Sequence, residues 1–175
     1  MRACLLLVLA LLAGCGDPED NRPPGTLEIG VRGPEGVFAP LVDGDSMTVS
    51  LGPNGLNMIV PCLRSAEIDP QAPDPTVSVQ VADMVMAADI EGARADMAFD
   101  GTGNVLWDLR VPFQQELCCF ICREGLVEAK IKDATGRRFA GAVTVQLERG
   151  GCPDEGACCD TADMCDPPSL TQTCE

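Results

Sequence analysis

From Leu27 to Leu147 the chain alternates, again and again, between apolar and polar residues with a period of two, and this limits the folds open to it. Leu27, Ile29 and Val31 alternate with Glu28, Gly30 and Arg32; Met47, Val49 and Leu51 alternate with Thr48, Ser50 and Gly52. A third face collects Leu56, Met58, Val60 and Cys62, and a shorter one Ala95, Met97 and Phe99. Val105, Trp107, Leu109 and Val111 form another, followed by Val127, Ala129 and Ile131, and then by Val143, Val145 and Leu147. Such alternation places every second side chain in a core and the rest in water, the signature of half-buried strands. Asp43-Gly44, Asn54-Gly55 and Asp100-Gly101 punctuate these runs with residues that tolerate positive φ, as tight hairpins require. No alternation of helix with strand suggests a parallel sheet. Seven or eight short, closely spaced strands predict an all-β chain folded as an antiparallel sandwich.

One segment reads two ways. Val77, Val79 and Val81 have strand spacing, whereas Val81, Met84, Val85 and Ala88 fall at helical spacing. A strand bulged near Asp83 is preferred here over a short helix. Pro70, Pro73 and Pro75 mark a stiff loop before it.

The first fifteen residues are of a different kind. Arg2 precedes an apolar run from Leu5 to Leu12, which ends in Leu11-Leu12-Ala13-Gly14-Cys15. The run is short of the ~20 residues that cross a bilayer and has the layout of a secretory leader. Its ending resembles the lipobox of bacterial lipoproteins, in which the leader is cut just before a cysteine. That resemblance implies that Cys15 becomes the first residue and carries a thioether-linked diacylglycerol, usually with a further acyl chain such as palmitate on its amino group. It also implies a place in the bacterial cell envelope. The residue after the cysteine is Gly16 rather than Asp, which favours the outer membrane over inner-membrane retention. Several chains on one cysteine hold far more firmly than the marginal grip of a single one.

Cutting before Cys15 leaves residues 15–175, enough for one domain with a proper core. The leader takes Arg2 and no acid with it, so the remainder is one unit more negative than the −15 of the whole chain, which argues against nucleic-acid binding. The chain contains no histidine. That removes Ser-His-Asp and Cys-His nucleophilic catalysis, histidine-ligated zinc and the commonest general base. No catalytic residue is assigned, nor any cofactor. Asp89 and Glu91, with Asp96 and Asp100, have spacings that chance alone supplies in so acidic a chain. The methionines Met47, Met58, Met84, Met86 and Met97 read as core filling rather than a copper site.

Besides Cys4 in the leader and Cys15, nine cysteines remain: Cys62, Cys118, Cys119, Cys122, Cys152, Cys158, Cys159, Cys165 and Cys174. In an exported chain these are disulfide candidates, and an odd number leaves at least one otherwise engaged. Cys119 and Cys122 have the C-x-x-C spacing of zinc and redox sites, but no βαβ pattern surrounds them. The favoured reading pairs one of Cys118, Cys119 and Cys122 with Cys62, as immunoglobulin domains pin their two sheets. Trp107 follows Cys62 far too late in the chain for the core tryptophan of that family, so the similarity is one of immunoglobulin-like architecture alone. Residues 150–175 hold five cysteines, six acids and no basic residue. The spacing around Cys158-Cys159 is similar to cystine-knot miniproteins, and Asp160, Asp163 and Asp166 lack the full pattern of a calcium loop.

The expected organisation is a signal peptide (1–14), a lipidated N-terminus and tether (15–26), a sandwich domain (27–149) and an irregular, disulfide-rich acidic tail (150–175). The expected role is a lipid-anchored, non-catalytic binding or structural module. It reaches the membrane through its lipid and meets an envelope protein or an extracellular ligand. The alternative is a cysteine-based metal-binding or redox protein of the envelope.

Overall fold

A computed structural model describes residues 23–52, 56–71, 73–82, 84–89, 96–113 and 121–150, with backbone only for 84–89. The described chain is nearly all β and forms two sheets around one core. In chain order the strands are β1 (Gly25–Thr26), β2 (Glu28–Arg32), β3 (Phe38–Pro40), β4 (Ser46–Leu51), β5 (Asn57–Ile59), β6 (Cys62–Ser65) and β7 (Asp74–Val81). They continue as β8 (Met84–Asp89), β9 (Ala98–Phe99), β10 (Asn104–Leu106), β11 (Val111–Phe113), β12 (Glu124–Lys132) and β13 (Arg138–Arg149). The larger sheet runs β11-β5-β4-β13-β12-β7-β8, and β1 joins it against β13; the smaller runs β3-β2-β6-β10-β9. Inward residues of both sheets, among them Ile29, Leu63 and Leu106 facing Val79, Val127, Val145 and Leu147, make the main core. Met47 fills it as expected, and Met58 and Met97 are buried too.

Two pairings depart from the antiparallel expectation: β13 runs parallel to β4 and to β1. The reason lies in the connections. Asp43-Gly44 forms its turn, but β3 and β4 belong to different sheets, so the chain crosses between layers there instead of closing a hairpin. Gly44 N donates to Thr144 O at 2.9 Å, and Thr144 N donates to the Asp43 carboxylate at 2.9 Å, which docks that crossing on β13. By contrast, Asp100-Gly101 does close the hairpin β9–β10, with Gly101 at φ 101°. Strands β4 and β5 pair antiparallel, and the Asn54-Gly55 turn expected between them lies outside the described residues.

The face expected from Leu56 to Cys62 is not one strand. It divides into β5 in the larger sheet and β6 in the smaller, at Pro61, which has no N–H for a ladder. The run Val105 to Val111 likewise divides into β10 and β11, at Asp108, whose φ is 55°. The two divisions coincide because β5 pairs with β11 and β6 with β10. The result is one two-stranded ribbon that bends from one sheet into the other, a device by which strands switch layers. It is held at the bend by Leu109 N donating to Pro61 O at 2.9 Å. The described residues of the ambiguous segment 77–88 form no helix, and not the single bulged strand expected: β7 and β8 pair as a hairpin, with Ala82 at its turn, φ 51°.

Candidate functional site

The bend of that ribbon gathers an unusual set of side chains on the outer face of the smaller sheet. Alternation along β6 turns Leu63 toward the main core and Cys62 the opposite way, into a second small cluster with Phe38 and Val105, on which Trp107 packs. The lack of a side chain at Gly30 makes room here, since a Cβ would lie 2.6 Å from Phe38 Cζ. Phe38 and Trp107 meet edge to face with centroids 6.4 Å apart, an arrangement that aromatic quadrupoles favour. Two guanidinium groups cover them, Arg32 at 4.4 Å from the Trp107 ring centre and Arg64 at 4.3 Å from that of Phe38, close enough for cation–π attraction.

Each arginine is also held by carboxylates. Arg32 Nε donates to both Asp108 oxygens, at 3.0 and 3.1 Å. Arg64 reaches Glu28 at 2.7 Å and Asp100 at 3.2 Å. Asp108 N donates to Cys62 Sγ at 3.5 Å, so Asp108 binds the thiol through its backbone and the arginine through its side chain. Burial pushes the Cys62 thiol up, an effect larger than the opposing hydrogen bond from Asp108, and the sulfur stays protonated and unreactive near neutrality.

The Asp100 carboxyl is raised by burial, but more strongly lowered by Thr102 N and Oγ1, Gly103 N and Arg64, and ends below the usual carboxylate range. Asp133, 6% exposed, behaves alike in the turn between β12 and β13. Burial raises it, while Thr135 Oγ1 (2.7 Å), Asp69 N (3.3 Å), Arg137 N (2.9 Å) and Thr135 N (2.9 Å) together lower it. Both carboxylates are staples of hairpin turns, with one oxygen of each taken up by two backbone N–H groups of its own turn.

Cys62 and Cys122 are the cysteines the structure describes; Cys15, Cys118, Cys119, Cys152, Cys158, Cys159, Cys165 and Cys174 lie outside the described residues, as do Asp160, Asp163 and Asp166. Cys62 is a free thiol. The expected bridge from Cys62 across the sandwich is therefore not made, because Cys62 faces away from the space between the sheets. Cys122 is disulfide-bonded, with its other half outside the described residues. It packs against the main core at φ 58°, with Cys122 N donating to Leu147 O at 2.7 Å. Among the described residues no group of three or more Cys, Asp or Glu could hold a metal ion.

A second feature went unnoticed in the sequence. On the outer face of the larger sheet an open groove of about 260 Å³ is lined by Pro24, Asp74, Thr76, Lys130, Ile131, Lys132, Arg138, Phe139 and Ala140. Register explains its chemistry, since Lys132 lies opposite Asp74 on one side and Arg138 on the other, and Lys130 lies between Thr76 and Ala140. Lys130 and Lys132 are the only lysines of the chain. The signal was present as Lys130-x-Lys132 followed by Arg138 across a turn, but hairpin pairing was needed to put the three cations side by side. No family model matches this chain, and no curated protein matches it by sequence.

Proposed function

We propose that this protein is a lipid-anchored module of the bacterial cell envelope, attached through Cys15 and non-catalytic in its folded part. Its architecture is immunoglobulin-like in the broad sense of two sheets about one core, with a disulfide-stapled acidic tail. Its partner is an envelope protein or an extracellular ligand, and it sits in the outer membrane. The anchoring half of this reading rests on the leader ending in Leu11-Leu12-Ala13-Gly14-Cys15. The observation that carries the non-catalytic half is where the perturbed groups are found. Catalytic sites collect groups of displaced pKa in one cleft. Here Asp100, Asp133 and Cys62 are each engaged by backbone donors of the turn or bend that they stabilise, and none of them lines the groove described above. The disulfide at Cys122 supports the stapled reading over the metal-binding alternative, since a bonded sulfur is no thiolate ligand.

Intact mass of the protein from native membranes, before and after reduction with thiol alkylation, tests this reading. The expected result is a chain beginning at Cys15, heavier by a diacylglyceryl group, with most cysteines protected until reduction. An unlipidated chain with several free thiols or stoichiometric metal overturns it.

A further inference from the structure

We infer that the cationic groove on the larger sheet is a seat for an acidic peptide, occupied in cis by the chain's own segment Asp17-Pro18-Glu19-Asp20. The consequence for membrane attachment rests on the lipid-anchor reading; the docking itself does not.

The argument begins with charge. The whole chain carries −15, yet this face sets Lys130, Lys132 and Arg138 on neighbouring strands, with Asp74 the one acid among the residues that line it. Neither lysine forms an ion pair with a described residue. Like charges directly across a sheet repel, and Lys132 stands opposite Arg138 on one side, with Asp74 opposite it on the other. Two lysines with no ion pair to a described residue therefore call for an anionic occupant, and the apolar surface of Pro24 and Ala140 beside them suits a peptide better than a bare ion.

Chain continuity selects the occupant. Pro24 is itself a wall of the groove, held there by β1, where Gly25 lies opposite Phe139 and Thr26 opposite Ala140. Upstream of Pro24 come Asp20, Glu19 and Asp17, three carboxylates close together, with Arg22 as the nearby base. At ~3.3 Å per residue, Asp20 reaches about 13 Å from Pro24 and Asp17 about 23 Å. Strand β12, which carries both lysines, is two strands from β1, a distance of ~10 Å.

The acidic tail is the other internal candidate and is worse placed. It leaves from Gly150, beyond the far end of β13 from Arg138. The length of that strand is more than Asp154 and Glu155 can retrace, since the few residues before them reach only about half of it. Only more distant acids could arrive, after a long loop. Effective concentration falls with loop length, so the near segment wins both over the tail and over dilute external anions. With residues 17–20 seated, the lipid-bearing Cys15 lies two positions from the docked segment, and the domain lies low on the membrane instead of swinging on a free tether.

Zero-length carbodiimide coupling of the mature chain 15–175, read by peptide mass mapping, tests this with little ambiguity. Only Lys130, Lys132 and the terminal amine can supply nitrogen. Isopeptide bonds from Lys130 or Lys132 to Asp17, Glu19 or Asp20 are expected, and they should decline several-fold at high salt, where screening shortens the reach of charge. A variant with Cys15→Ser should give the same links, which separates the docking from lipidation. Links confined to Asp163, Asp166 or Glu175 would assign the groove to the tail and overturn the inference. Absence of links from Lys130 or Lys132 to Asp17, Glu19 or Asp20 would also sink it.

Discussion

Asp133 shows how one residue closes a turn. Its carboxylate accepts from the backbone N–H groups of Asp69, Thr135 and Arg137, tying the β12–β13 hairpin to the loop at residue 69. The group is buried. Hydrogen bonds to a charged acceptor contribute ~1.5–3 kcal/mol, so Asp133→Ala should cost about 2–3 kcal/mol in urea unfolding at neutral pH. Its folded pKa lies below the unfolded value of 3.8. The stabilisation is therefore complete above that value and is lost as pH falls from there through the folded value. The difference between wild type and Asp133→Ala should thus narrow below pH 3.8; a gap that widened would contradict the assignment. Cys62 is the second case. Its buried, protonated thiol should resist a neutral maleimide in the folded protein and react fully in denaturant, as peptide mapping of Cys62 would reveal.

At the level of elements, the close approaches are as decisive as the strands. Leu27 N donates to Ala140 O at 3.1 Å, and a Cβ on Gly141 would fall on the Leu27 carbonyl oxygen. Gly141→Ala should displace the first strand from β13 and cost about 1–3 kcal/mol, with loss of hydrogen-exchange protection at Leu27 N as its local sign. Most of the strand pattern was legible beforehand: β2, β4, β7, β12 and β13 fall where period-two alternation put them. The alternation also ran straight through Pro61 and Asp108, where the ribbon changes sheets, because inward-facing side chains continue on both sides of such a bend. Hydrophobicity reports burial, not which layer supplies the burial. For the same reason the parity of Cys62 was legible but not its face. Beside Pro61, its neighbours Ile59 and Leu63 both face the main core while Cys62 faces out.

For the whole molecule, charge is the dominant long-range term. A net charge of −15 repels itself, and added salt screens that repulsion at ever shorter range. The exposed pairs, such as Arg32 with Asp108, whose side chains are 45% and 48% exposed, lose strength as salt is added. Because the acids exceed the bases by so many, self-repulsion should outweigh those pairs, and the thermal midpoint should rise between low and physiological salt. A falling midpoint would mean that the arginine clamps dominate.

The amino-acid order alone carried the strand class, the turn at Asp100-Gly101 and the exclusion of histidine chemistry, because each depends on local spacing or on composition. Which strands became neighbours was beyond it. The parallel partners of β13, the outward thiol of Cys62, the arginine-capped aromatics at the bend and the meeting of Lys130, Lys132 and Arg138 all join residues from different strands. Pairings of that kind are set by how two sheets share one core, and no local pattern along the chain encodes them.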